Sequence, residues 1–142
     1  MLGGVAAQGV AAQLSVQPSD PDPLRAQLDS ISGRSGRLRL LREPWMGALE
    51  EGAAADRWVP LRAGQRYTLL WVCDLDCSDL DLRMFDAAGT EIAHADDIAD
   101  LSILSVVPTR SGRYRLRVTM LRCSAAPCGF GVGVYGDASG RR

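Results

Sequence analysis

A strictly alternating segment, RYRLRVTML at residues 113–121, constrains the fold more than any other part of the sequence. Successive side chains of a β-strand point to opposite faces, so every second residue from Tyr114 to Met120 lies on one face. The arginines and the threonine between them lie on the other. The pattern predicts a strand with one face in a hydrophobic core and one face in solvent, as in many antiparallel sheets.

Eight further apolar runs, bounded by turn residues, follow at similar spacing from Gly36 onward. Glycines such as Gly64 and Gly89 stand where tight hairpin links need positive φ, and no long helical stretch separates the runs. The sequence therefore predicts an all-β fold, an antiparallel and jelly-roll-like β-sandwich with a short N-terminal helix. The predicted strands are Arg37–Arg42, Met46–Glu50, Arg57–Leu61, Arg66–Cys73, Leu80–Asp86, Glu91–His94, Ser102–Val107, Arg113–Leu121 and Gly129–Tyr135.

One globular domain accounts for most of the 142 residues. Leu24, Leu28 and Ile31 share one face of the predicted helix. The predicted divisions are residues 1–19 as a flexible arm or signal-peptide remnant, 20–35 as helix and linker, 36–136 as the sandwich, and 137–142 as a disordered tail.

The overall charge argues against nucleic-acid binding, and the hydropathy argues against a membrane span. A formal net charge of −1 lacks the basic excess of a nucleic-acid-binding domain. The sequence also lacks an apolar run of about 18 residues, so we expect no membrane span.

Three motifs give the chain a family resemblance: RAGQRY at 62–67, LDLRMFDAAGT at 80–90 and PTRSGRYRLRV at 108–118. It resembles the bacterial pre-peptidase C-terminal domains, small β-sandwich modules attached to secreted proteases or found in stand-alone secreted proteins. The resemblance covers about residues 43–135 and implies a fold and an exported location, periplasmic or secreted, with no catalytic residues. The cysteine-framed segments at 73–77 and 123–128 resemble a subgroup of proteobacterial exported proteins.

Four cysteines stand in two close pairs, Cys73 with Cys77 and Cys123 with Cys128. Four cysteines allow three disulfide connectivities, which the sequence does not resolve. Local pairing would close two loops at strand ends, and crossed pairing would join two strands. A four-cysteine zinc site is the alternative, but the exported context favours disulfides.

Aspartates crowd the segment between residues 74 and 81, and more follow from residue 96. Closely spaced carboxylates repel one another, and a hard cation with oxygen ligands relieves that repulsion. Calcium is therefore the candidate ion, although the spacing does not match an EF-hand. The competing interpretation is that the aspartates cap turns or face solvent. The candidate ligands are Asp74, Asp76, Asp79, Asp81, Asp96 and Asp97.

Catalytic signals are weak. His94 is the single histidine, and the sequence contains no Gly-x-Ser-x-Gly nucleophile motif. Trp45 and Trp58 lie near predicted strand ends and are candidate stacking platforms for a sugar ring or a protein partner, whereas Trp71 belongs to the most apolar strand and is expected in the core.

The sequence therefore predicts an exported, non-enzymatic module that recognises a protein or a polysaccharide, with calcium as a candidate stabilising ion. The alternative is a structural or inhibitor-like domain that acts with an envelope protease. A hydrolase is the third and least supported interpretation.

Overall fold

The computed structural model describes residues 23–95 and 103–137. The predicted N-terminal arm and most of the predicted tail lie outside these ranges, as do Asp96 and Asp97. In these ranges one helix precedes nine strands. The elements are α1 (Pro23–Ser35), β1 (Leu38–Leu40), β2 (Trp45–Leu49), β3 (Ala54–Leu61), β4 (Tyr67–Cys73), β5 (Cys77–Phe85), β6 (Glu91–Ala95), β7 (Ile103–Val106), β8 (Gly112–Cys123) and β9 (Cys128–Asp137).

The strands form two antiparallel sheets packed face to face. In the first sheet β9 lies between β4 and the pair β1 and β2, and β7 pairs with the far side of β4. In the second sheet the order is β3-β8-β5-β6. The predicted antiparallel sandwich with a short N-terminal helix is confirmed.

Alternation along β8 produces the core as the sequence predicts. Tyr114, Leu116, Val118 and Met120 are all at most 4% exposed. From the facing sheet, Trp71 and Phe130 pack into the same cluster. Two faces of the sandwich therefore interdigitate around large apolar side chains, and Trp71 is a core residue as expected.

Helix α1 covers the outer face of the first sheet. Its buried residues Leu24 and Leu28 pack against Leu70, Val72 and Tyr135. Strand β4 is consequently buried on both faces, which explains its nearly continuous apolar sequence. Within the described ranges, no helix is long and apolar enough to span a membrane.

The glycines that alternate along β9 make room for this helix. A Cβ at Gly131 would lie 3.0 Å from the Sδ of Met46 and 3.4 Å from a methyl of Leu28, and one at Gly129 would lie 3.2 Å from a methyl of Leu24. The glycine-rich face of the strand is therefore covered by side chains of this chain, with α1 lying close to the backbone.

Most strand ends differ from the prediction by one or two residues, and β3 and β5 begin earlier than predicted by a larger margin. Strand β5 begins at Cys77 rather than Leu80, since Cys77 already pairs with Cys123 of β8 across an irregular register. Strand β3 begins at Ala54 rather than Arg57, since its pairing with β8 continues to Thr119. Both extensions arise from partner strands that are distant in sequence.

Candidate functional site

Both cysteine pairs are disulfides closed locally at one end of the sandwich, which we call the cysteine end. Cys73 bonds to Cys77 and Cys123 to Cys128, with Cα–Cα distances of 5.8 and 5.9 Å. No free cysteine is left to form a zinc site. Disulfides form and persist in oxidising compartments, so this pairing indicates an exported protein.

The loop closed by the first disulfide is held rigidly by hydrogen bonds to the second. The backbone N–H of Asp74 donates to the carbonyl of Gly129 (3.1 Å), and the N–H of Gly129 donates back to Asp74 Oδ2 (2.7 Å). On the other side, the N–H of Ser124 donates to the carbonyl of Asp76 (2.8 Å). Asp74 is thus fixed to the residue that follows Cys128, and Asp76 to the residue that follows Cys123.

Leu75 stands at the tip of this rigid loop and is fully exposed, with a relative accessibility of 102%. Beside it lies a shallow hollow of about 450 Å³, bounded by Pro23, Leu24 and Gln27 at the start of α1. The cysteine end therefore presents the projecting side chain of Leu75 next to this depression. Contiguous exposed apolar surface marks interaction sites, whereas a single exposed apolar residue is ordinary, so it is the combination of Leu75 with the adjoining hollow that makes this end a candidate site.

Sequence reasoning did not single out Leu75. The available signal was an apolar residue in the middle of a Cys-x₃-Cys segment. A loop that is closed by a disulfide within five residues is too short to turn its central side chain back into the core.

The candidate calcium ligands are separated by the structure. Asp74 accepts the N–H groups of Asp76 (3.1 Å) and Gly129, which is a turn-capping role. Asp81 lies on the outer face of the second sheet, 5% exposed, where Arg83 Nε donates to its Oδ2 at 2.9 Å. Asp76 is exposed and Asp79 is half-buried beside Arg122.

Within residues 23–95 and 103–137, no three potential metal ligands lie close enough to share an ion. Calcium binding stays a prediction that depends in part on Asp96 and Asp97. If calcium binds, chelation with EDTA will lower the melting temperature by several degrees, because a bound ion stabilises the folded state by mass action. The check is differential scanning calorimetry with EDTA and then with excess CaCl₂; equal melting temperatures would contradict the calcium hypothesis.

His94 has a carboxylate partner that the sequence did not indicate. Its Nε2 lies 2.7 Å from Asp81 Oδ1, and Arg83 also joins Asp81 to Glu91. The four residues form one ion-pair network across β5 and β6. The network leaves the buried Asp81 carboxylate paired, which is the structural requirement for a charge at that depth.

Two arginines of the β8 row share one carboxylate of the neighbouring strand β3. Arg117 Nε donates to Asp56 Oδ1 at 2.8 Å, and Arg115 lies 3.4 Å from Asp56 Oδ2. The hydrogen bond from Arg117 lowers the pKa of the Asp56 carboxyl. This face is therefore a solvated and mostly charge-balanced sheet surface.

The two candidate tryptophans differ in environment. Trp45 is half-buried and packs edge-on against Phe130 at 5.3 Å between centroids. Trp58 is 42% exposed, but the Arg113 guanidinium lies 4.6 Å from its ring centroid. A sugar ring stacking on that side of Trp58 would have to displace a cation–π contact.

No family model matches this sequence, and no curated protein sequence matches it. Solved structures with a similar chain path include the periplasmic lysozyme inhibitor PliG of Aeromonas hydrophila, which inhibits g-type lysozyme. The two chains are 17% identical with a TM-score of 0.49, and the match covers 65% of this chain and 84% of that one. At this identity no residue role passes from PliG to this chain.

Proposed function

We propose that this protein is an exported, non-enzymatic recognition module that binds a protein partner through the loop Cys73–Cys77. The observation that carries the proposal is the full exposure of Leu75 on a loop closed by a disulfide. A side chain of this size contributes about 1.5–3 kcal/mol when it is transferred from water into an apolar pocket. In the free protein that contribution is unused.

Rigidity increases the value of this contact. Association costs free energy when loops and side chains become ordered, and a loop already held in its bound shape avoids most of that cost. Hydrogen bonds to Ser124 and Gly129 hold the backbone of the Leu75 loop in place. A rigid apolar knob suits the insertion of the loop into a preformed cleft of another protein, which is how an inhibitor of an envelope enzyme would bind.

Charge around the loop narrows the class of partner. Among the described residues, five acidic side chains lie at or next to the cysteine end. Arg122 is the adjacent basic residue on β8, and Arg25 near the start of α1 is paired with Glu43, so this end favours an apolar cleft with a basic rim. A second copy of this chain would bring two acidic ends together, which disfavours self-association through this surface. The acidic residues are Glu50, Glu51, Asp74, Asp76 and Asp79.

The proposal is tested with Leu75→Asp and a matched control, Ile103→Asp, which changes an exposed residue (43%) of the edge strand β7. Immobilised wild-type protein and both variants are incubated with purified envelope proteases and cell-wall hydrolases, and binding is measured by surface plasmon resonance. We expect a ligand whose affinity falls about a hundredfold or more with Leu75→Asp, because an apolar cleft would have to bury a charge. Its affinity for Ile103→Asp should change less than about twofold.

The fold must be intact in both variants for this comparison. Since the residue 75 side chain is fully exposed, the melting temperature of Leu75→Asp should equal that of the wild type. A ligand that binds both variants with wild-type affinity would show that the interaction surface lies elsewhere. Activity of the captured enzyme with and without the module then distinguishes inhibition from simple docking.

A further inference from the structure

A second concave surface lies at the end of the sandwich opposite the cysteines, and we call it the arginine cleft. It separates the turn between β5 and β6 from the link between β7 and β8 and has a volume of about 730 Å³. This volume is within the range of about 300–1,000 Å³ that is typical of small-molecule sites. Its principal lining residues are Ala88, Ile92, Val107, Pro108, Arg110 and Arg113.

The wall of the arginine cleft is apolar and open to solvent. Two large apolar side chains of the wall are exposed, Ile92 by 39% and Val107 by 44%. Ile92 belongs to β6 and Val107 directly follows β7, so both sheets supply side chains to the wall. An apolar ligand body would recover the hydrophobic free energy that these side chains lose by exposure.

Two arginines, Arg110 and Arg113, lie at the rim of the cleft. Within the described ranges, no carboxylate lies within ion-pair distance of Arg110 or Arg113, whereas Arg115 and Arg117 share Asp56. Asp86 also lines the cleft. Its Oδ1 accepts the backbone N–H groups of Ala88 (3.0 Å) and Thr90 (2.9 Å). Asp86 keeps its negative charge, so Arg110, Arg113 and Asp86 together leave the described lining of the cleft with a net positive charge.

The backbone that carries Arg110 and the side chain of Arg113 are both held by contacts within the protein. The hydroxyl of Tyr114 donates to the carbonyl of Arg110 at 2.5 Å, and Ser111 accepts the N–H of Ala63 at 2.9 Å. The Arg113 guanidinium rests on Trp58 at 4.6 Å from the ring centroid. A guanidinium held in place loses less conformational freedom when it binds a carboxylate with two parallel hydrogen bonds.

We propose that the arginine cleft binds an amphipathic organic anion, a small molecule with a carboxylate head and an apolar body. Arg110 and Arg113 hold the head, and Ile92 and Val107 contact the body. The proposal is independent of partner recognition at the cysteine end, because the two surfaces lie at opposite ends of β5 and β8.

Decanoate is the probe, titrated below its micelle concentration at neutral pH, where the carboxylate is ionised. Binding is followed by ¹H–¹⁵N NMR and by tryptophan fluorescence, since Arg113 contacts Trp58. We expect saturable shifts confined to residues 86–92 and 106–114 and a fluorescence change that disappears in Trp58→Phe. Decanol tests the contribution of the charge and acetate that of the apolar body, and both should bind more weakly than decanoate.

The variant Arg110→Gln/Arg113→Gln should weaken decanoate about tenfold or more, because both charge-assisted contacts are lost. The control Arg37→Gln/Arg39→Gln removes the same charge near β1, away from the cleft, and should leave the affinity unchanged. The absence of saturable binding, shifts spread over other surfaces, equal affinity for decanol, or equal losses in the two double variants would each overturn the proposal. Unchanged amide spectra outside the substituted positions verify that the variants fold.

Discussion

Phe130→Ala is expected to lower the free energy of unfolding by about 3–5 kcal/mol. Phe130 is 1% exposed in the middle of the core, edge-on to Trp45 at 5.3 Å. Its ring also fills the space above Gly47, where a Cβ would lie 2.8 Å from the ring. Because glycine leaves no side chain that could move into the vacated volume, the cavity cannot collapse easily, and the cost should lie in the upper part of the range.

Phe85→Ala is the matched control, because it removes the same side chain from the outer face of the second sheet. There the ring is half-exposed and lies under the guanidinium groups of Arg115 (4.6 Å) and Arg117 (5.4 Å). We expect a loss of about 1 kcal/mol, mostly from these cation–π contacts. Urea unfolding followed by circular dichroism measures both variants; equal losses would show that Phe130 is not a core residue.

Leu28→Ala is expected to release helix α1 from the sheet before the sandwich unfolds. Leu28 is 0% exposed and packs against Leu70, Val72 and Tyr135. Its removal should cost about 2–3 kcal/mol of docking free energy. An isolated helix of this length is marginal in water, so the undocked segment should also lose its helical structure.

Hydrogen exchange detects this local opening. The amides of residues 27–35 should exchange roughly fiftyfold faster in Leu28→Ala, as a cost of 2–3 kcal/mol requires. The amides of β5 and β8 should retain their protection. Gln27→Ala alters the adjacent exposed residue and should leave exchange unchanged. Equal acceleration in helix and sheets would show that α1 and the sandwich open as one unit.

Local periodicity was sufficient to predict the fold class. Alternation in RYRLRVTML placed Tyr114, Leu116, Val118 and Met120 in the core, and each of the nine predicted strands has a counterpart. Turn glycines were equally informative, since Gly64 and Gly89 have φ values of 80° and 91°. Strand ends were less predictable because they depend on partner strands.

The candidate sites were less predictable because they depend on contacts between distant segments. Asp81 was a calcium candidate by its crowding, yet it is paired with Arg83 and with His94, thirteen residues away. The arginine row looked uniform in sequence, but Arg115 and Arg117 share the carboxylate of Asp56 on β3, whereas Arg113 lies on Trp58. Sequence spacing does not reveal which carboxylate each arginine will meet.

The sequence by itself determined the antiparallel strands, the apolar face of the strand at 113–121 and the presence of two close pairs of cysteines. These properties follow from the two-residue period of a strand and from turn chemistry, which are local. Tertiary structure decided that the disulfides close locally, that Leu75 projects from the cysteine end and that Arg110 and Arg113 face an open cleft. Exposure and charge pairing depend on which segments the fold brings together, so they emerge only when the two sheets pack.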